Sequence, residues 1–131
     1  MCFLIFLKKM NPQSKKPESQ VRTALKDMLS QHMSVHVYHA SPYGETGHPD
    51  LYGTYRGCAV WLEVKHPGWR PRSAKERNHF ERQKAWLARE QARGGFCAVV
   101  TCWEDCARVL EAVDNSVDQG MPPGYYECMI Q

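Results

Sequence analysis

The sequence predicts an α/β fold, a mixed β-sheet flanked by helices in the order αβββαβα. Three observations carry the mixed sheet and its order. Leu51–Tyr55 and Cys58–Lys65 are two strand-like runs separated only by Arg56-Gly57, a hairpin signal. Residues 73–93 form a long helical stretch between a capping signal and Gly94-Gly95. Phe96–Thr101 follows as a short apolar run, the pattern of a buried strand.

Taken in order, residues 1–17 read as an N-terminal arm, polar and proline-flanked from residue 10 on. From Glu18 to about Ser30, the apolar positions Val21, Leu25, Met28 and Leu29 recur at helical spacing. Val35 and Val37 alternate with His36 and Tyr38, which predicts a strand over 34–40. Ser41–Gly47 is a loop rich in glycine and proline. In the second hairpin strand Cys58, Val60, Leu62 and Val64 share one face, and Ala59, Trp61, Glu63 and Lys65 the other.

His66–Arg72 is a loop. Ser73 with Glu76 makes a capping box that opens the long helix. Thr101 with Glu104 is a second capping box, opening a helix to about Val113 with Ala107, Leu110 and Val113 turned inward. The step from strand 58–65 through helix 73–93 to strand 96–101 is a right-handed β-α-β crossover, so those two strands run parallel. Residues 115–131 carry no readable pattern.

Composition sets the class. The 131 residues make one domain over 18–113, with the arm before it and an extension over 114–131. Apolar residues reach 43%, which excludes a disordered chain. No apolar run approaches the roughly 20 residues of a membrane helix. The cysteines, at 2, 58, 97, 102, 106 and 128, include no C-x-x-C pair, which argues against a zinc ribbon. Cys102 and Cys106 lie one helical turn apart, but no histidine is near them in sequence, so they read as packing residues. Apolar Met1–Leu7 precedes Lys8-Lys9, the reverse of a signal peptide, and a reducing cytoplasm with free thiols is the expectation.

The net charge is only +3, but it is unevenly placed. Residues 65–93 hold nine Lys or Arg against three Glu, and residues 94–131 hold Arg108 against six acids. A basic middle beside an acidic tail suggests a polyanion site on one face.

The hairpin register locates the chemistry. A two-residue turn at Arg56-Gly57 sets Tyr55 opposite Cys58, and the same register sets Asp50 opposite Glu63. Lys65 lies two residues on, on the same face. Two carboxylates and an amine thus converge at one end of the sheet. Like charges that close call for a divalent cation, and Mg²⁺ is held by one or two carboxylates with waters and phosphate oxygens. The amine can orient a water or stabilise developing negative charge, a set suited to phosphodiester hydrolysis.

Gly47-His48-Pro49-Asp50-Leu51, then Leu62-Glu63-Val64-Lys65, then Gln83 on the next helix resembles the PD-(D/E)xK nuclease superfamily. The VRR-NUC family of virus-type replication-repair nucleases is the nearest likeness, carrying G-x-P-D-L, E-V-K and a helical Gln in this order. The resemblance covers roughly residues 18–113. It implies a restriction-endonuclease-like fold, Mg²⁺-dependent cleavage of DNA, with Mn²⁺ as substitute, and a homodimer similar to the resolvases that cut Holliday junctions. It implies metal ligands at Asp50, Glu63 and the Val64 carbonyl, a catalytic Lys65, and a supporting Gln83. An acidic residue on the first helix completes the family's set. Glu18 is the best match, with Asp27 the alternative.

The basic stretch then reads as a DNA-binding face: His66, Trp69, Arg70, Arg72, Lys75, Arg77 and Arg82, with Lys84 beside them. Trp69 is placed either to stack on a base or to cover its own loop. His48 is a loop residue within reach of a phosphate, and His36 and His39 face solvent. No base-reading helix is recognisable, so structure-selective binding is expected. The rivals are a sequence-specific restriction or homing endonuclease, a nucleic-acid-binding module without catalysis, and a protein-interaction module. Tyr125, Tyr126 and Met129 are candidates for a dimer contact.

Overall fold

The computed structural model describes residues 17–38, 47–121 and 125–127. The elements are α1 (Pro17–Leu29), β1 (Ser34–Val37), β2 (Leu51–Tyr55), β3 (Cys58–Val64), α2 (Ala74–Ala92), β4 (Phe96–Val100), α3 (Trp103–Gln119) and β5 (Tyr125–Glu127). The arm up to residue 16, His39, the loop over 41–46 and Met129 lie outside the described residues, and only the backbone of Tyr125 and Tyr126 is described.

One five-stranded sheet runs in the order β1-β2-β3-β4-β5. β2 runs antiparallel to its neighbours β1 and β3, whereas β4 lies parallel to β3 and β5 parallel to β4. The expected mixed sheet and helix order are therefore present, with β5 as an added edge strand.

The hairpin register is the one the turn dictates. Tyr55 faces Cys58 and Leu51 faces Leu62. Both turn residues have positive φ, 51° at Arg56 and 82° at Gly57, the signature of a type I′ turn whose twist matches the strands. An arginine is strained there, and two carboxylates hold it. Arg56 donates to Asp114 and Asp118 of α3, both at 2.8 Å.

Side chains alternate across the sheet and build two cores. On one face Val60, Leu62 and Val64 of β3 and Phe96, Ala98 and Val100 of β4 pack against Val21, Leu25 and Leu29 of α1 and Val109, Leu110 and Val113 of α3. On the other face Trp61, Cys97 and Val99 pack against Phe80, Trp86 and Leu87 of α2. A fully buried leucine such as Leu25 or Leu87 contributes about 1.5–3 kcal/mol.

α2 begins and ends where its signals lie. The Ser73 hydroxyl accepts from the Glu76 N–H at 3.1 Å, while the Glu76 carboxylate turns to the Arg72 N–H at 2.8 Å. At the other end the Gly95 N–H reaches the Glu90 carbonyl and the Gly94 N–H the Gln91 carbonyl, a Schellman closure.

α3 differs from expectation at both ends. Its N-cap is Cys102, one residue later than Thr101, and no side chain caps it. Asp105, not Glu104, reaches back to accept from the Thr101 N–H at 2.9 Å. The helix then passes Val113 and stops at Gly120 in the left-handed conformation. Its buried face is Asp105, Cys106, Val109, Leu110 and Val113, with Ala107 on the flank.

Among the described residues no helix is long and apolar enough to cross a membrane. The four described cysteines, Cys58, Cys97, Cys102 and Cys106, form no disulfide. Burial pushes the Cys97 thiol up to about 12, so it packs rather than reacts.

Candidate metal centre

One step beyond the Leu51–Leu62 pair, the register brings Asp50 opposite Glu63. Glu18 reaches the same point from the first turn of α1, where the helix dipole favours a carboxylate. One oxygen from each of Glu18, Asp50 and Glu63 lies within 4.8 Å of the others.

Asp50 is fixed from several sides. Its Oδ2 accepts from the Val64 N–H at 2.9 Å, and its Oδ1 lies 3.7 Å from the Arg22 guanidinium. Its carbonyl accepts from the Tyr38 N–H at 2.8 Å, which extends the β1–β2 ladder by one pair. The loop before it depends on Gly47. That residue has φ +91°, and a Cβ there would stand 2.9 Å from the Arg82 carbonyl oxygen of α2. Only glycine combines this conformation with so close an approach.

Glu63 is 1% exposed. Its Oε2 accepts from Gln83 Nε2 at 2.8 Å and lies 3.3 Å from Lys65 Nζ. Gln83 is the polar residue on the inner face of α2, beside Phe80, Trp86 and Leu87. Lys65 is itself buried, with Nζ 3.8 Å from Glu18. The ammonium sits over the Trp69 ring at 4.5 Å and over the Phe80 ring at 5.6 Å, and the two rings meet edge to face.

These surroundings move the titrations. Burial, reinforced by Asp50, holds Glu63 well above the ordinary carboxylate range, although Lys65 opposes it. Burial also raises Glu18, against the pull of Lys65 and with the push of Asp50. On α2, burial lowers His79, as do the nearby charges of Lys65 and Arg82. The acids are crowded and desolvated, and Lys65 and Arg22 offset them only in part.

A divalent cation fits this arrangement. Glu63 Oε1 and Gln83 Oε1 are buried and accept no hydrogen bond. A buried acceptor left alone costs about 1–3 kcal/mol, which a cation or its water would remove. The donors are hard oxygens, the set that suits Mg²⁺ or Mn²⁺.

The centre opens into a cleft of about 350 Å³, lined by these acids, Lys65 and Gln83 with Trp69, Glu76 and His79. Glu18, Asp50, Glu63, Lys65 and Gln83 thus come together. Asp27 is not part of the cluster. Val64 meets the site through its main-chain N–H, which donates to Asp50 Oδ2. Trp69 covers Lys65 and packs on Phe80. His66 is partly buried, its Nδ1 3.0 Å from the Pro67 carbonyl. Arg70, Arg72, Lys75, Arg77 and Arg82 are exposed on the loop and on α2. The sequence reading passed over Arg22, Glu76 and His79. Positions 76, 79 and 83 follow the three- and four-residue spacing of one helix face, so Gln83 was the signal from which the other two could have been found.

No protein-family model matches the chain, and a search of curated proteins finds no match either.

Proposed function

We propose that the protein is a metal-dependent DNA endonuclease of the PD-(D/E)xK type, similar to the VRR-NUC nucleases. The observation that carries this is the convergence of Glu18, Asp50 and Glu63 within 4.8 Å, beside the buried amine of Lys65. Glu18, Asp50 and Glu63 would hold Mg²⁺ or Mn²⁺. When bound, such an ion lowers the pKa of a water and polarises a phosphoryl oxygen.

The chain's own residues do the rest. Lys65 presents a positive charge to the water or to the oxygens of the scissile phosphate. Trp69 and Phe80 keep that ammonium in place. Gln83 orients Glu63 through its hydrogen bond. Lys75, Arg77 and Arg82, exposed on α2, neutralise flanking phosphates. In-line attack leaves 5′-phosphate and 3′-hydroxyl ends. Symmetric cutting of a branched DNA such as a Holliday junction needs two such sites, hence a homodimer working in the cytoplasm.

The test is cleavage of labelled linear duplex, single strand, flap and four-way junction with Mg²⁺, Mn²⁺ or EDTA. Metal-dependent cutting that is lost in Glu63→Gln supports the reading. Binding without cutting on every substrate and with either metal overturns it.

A further inference from the structure

The cations that meet flanking phosphates, Lys75, Arg77 and Arg82, all stand on α2, which packs on one face of the sheet. α1 packs on the opposite face and brings Arg22 to the acids. Glu18 and Arg22 lie one helical turn apart, so the stretch of α1 that supplies a carboxylate to the centre also supplies a guanidinium beside it.

Arg22 is placed there but not saturated. Its guanidinium lies 3.7 Å from Asp50 Oδ1 and donates to Ser19 Oγ at 3.4 Å. Among the described residues these contacts are long for a cation, whose hydrogen bonds to a carboxylate run about 2.7–2.9 Å. A guanidinium offers a fork of N–H donors, and most of this one is left over. Asp50 does not depend on it, because its Oδ2 takes the Val64 N–H at 2.9 Å. The Arg22 side chain is 32% exposed. Asp50 lines the cleft and Arg22 does not. The guanidinium therefore stands at the rim, one side chain away from the floor where the acids converge.

We propose that Arg22 is a phosphate clamp on the α1 side of the centre, binding the backbone phosphate next to the scissile one. The inference rests on the nuclease reading and adds a substrate-positioning residue to it. A strand whose scissile phosphate lies in the cleft continues over α2 in one direction and past the rim in the other. The α2 cations hold the first part, and Arg22 is the cation at the second. Its planar fork matches two oxygens of one phosphate, which a lysine ammonium does not. Holding the strand on both sides of the reacting phosphorus fixes it for in-line attack.

The experiment measures binding of fluorescent duplex and four-way junction by anisotropy, with the full chain, in Ca²⁺, which takes oxygen ligands as Mg²⁺ does. Each DNA carries a single methylphosphonate, an uncharged linkage, moved along the strand one position at a time. Arg22→Met is expected to weaken binding of unmodified DNA roughly 10- to 150-fold. At one position, adjoining the site cut in Mg²⁺, the methylphosphonate should cost the wild type as much and cost Arg22→Met nothing further. Arg22→Lys, which keeps the charge and loses the fork, should fall between the two. Mn²⁺ affinity by calorimetry should be unchanged or tighter in Arg22→Met, because a positive charge has left the side of Asp50. Weaker Mn²⁺ binding would mean that Arg22 only holds Asp50. Unweakened DNA binding, equal methylphosphonate losses in both proteins at every position, or an Arg22-dependent position remote from the cut would mean that it does not clamp the neighbouring phosphate. Each of these overturns the proposal. Cleavage of the same DNAs in Mg²⁺ separates the two readings. A wild-type chain that never cuts, yet shows the Arg22-dependent position, keeps Arg22 as a phosphate contact and loses the nuclease. A chain that cuts while Arg22→Met loses nothing does the opposite.

Discussion

Gln83 donates its side-chain N–H to Glu63 Oε2 at 2.8 Å, joining the middle of α2 to the end of β3 inside the protein. The bond sets which way the buried carboxylate points, and so where its second oxygen is offered. Gln83→Ala should weaken Mn²⁺ binding, or the Mg²⁺ dependence of cleavage, by roughly 10- to 100-fold, the usual effect of losing a residue that orients a ligand. Calorimetric titration of Mn²⁺ checks this, and an unchanged affinity would remove Gln83 from the site.

Glu63 makes stability depend on pH. Its folded value lies above the ordinary 4.5, so the folded chain holds the proton more tightly than the unfolded one. The associated stability is complete below about pH 4.5 and is lost as pH rises through the folded value. Without metal, wild type should therefore fall behind Glu63→Gln as pH climbs from 4.5. Saturating Mg²⁺ should reverse the order, because it binds the ionised form. Thermal melts of both proteins across pH, with and without Mg²⁺, make the comparison. Parallel curves would show that Glu63 does not titrate in this way.

Trp69 acts through Lys65. The ammonium lies 4.5 Å over the indole, and such a contact contributes about 0.5–2 kcal/mol. Trp69→Leu should lower kcat roughly 2- to 30-fold with little change in KM, and Trp69→Phe should recover most of it. If KM rises and kcat holds, the indole contacts DNA instead.

Gly47 seats the loop that carries Asp50. Gly47→Ala meets both a positive φ and the Arg82 carbonyl at 2.9 Å. A loss of at least about 1–3 kcal/mol is expected in denaturant unfolding, with an unchanged m-value. A variant as stable as wild type would mean that the loop has another seat on α2.

The parts of the fold governed by local rules were legible in the sequence. The type I′ turn at Arg56-Gly57 fixes the register of β2 and β3, and that register alone places Asp50 opposite Glu63. Ser73 and Gly94-Gly95 bound α2 because capping uses neighbours in the chain. The misses depend on distant partners. Asp114, Asn115 and Ser116 look like turn residues, yet α3 runs on through them while Asp114 and Asp118 bind Arg56. β5 is three residues long and owes its place to β4, so it carries no period of its own. Glu18 was preferred to Asp27 only through the resemblance, because tertiary packing is what brings the start of α1 beside Asp50.

The most direct check of the metal centre is anomalous scattering from crystals soaked in Mn²⁺. One strong peak within coordination distance of Glu18, Asp50 and Glu63 is the expected result, and it should vanish in Glu63→Gln. Density at no point among these three carboxylates, in wild-type crystals at saturating Mn²⁺, would mean that they do not form a metal site and that the nuclease reading fails with them.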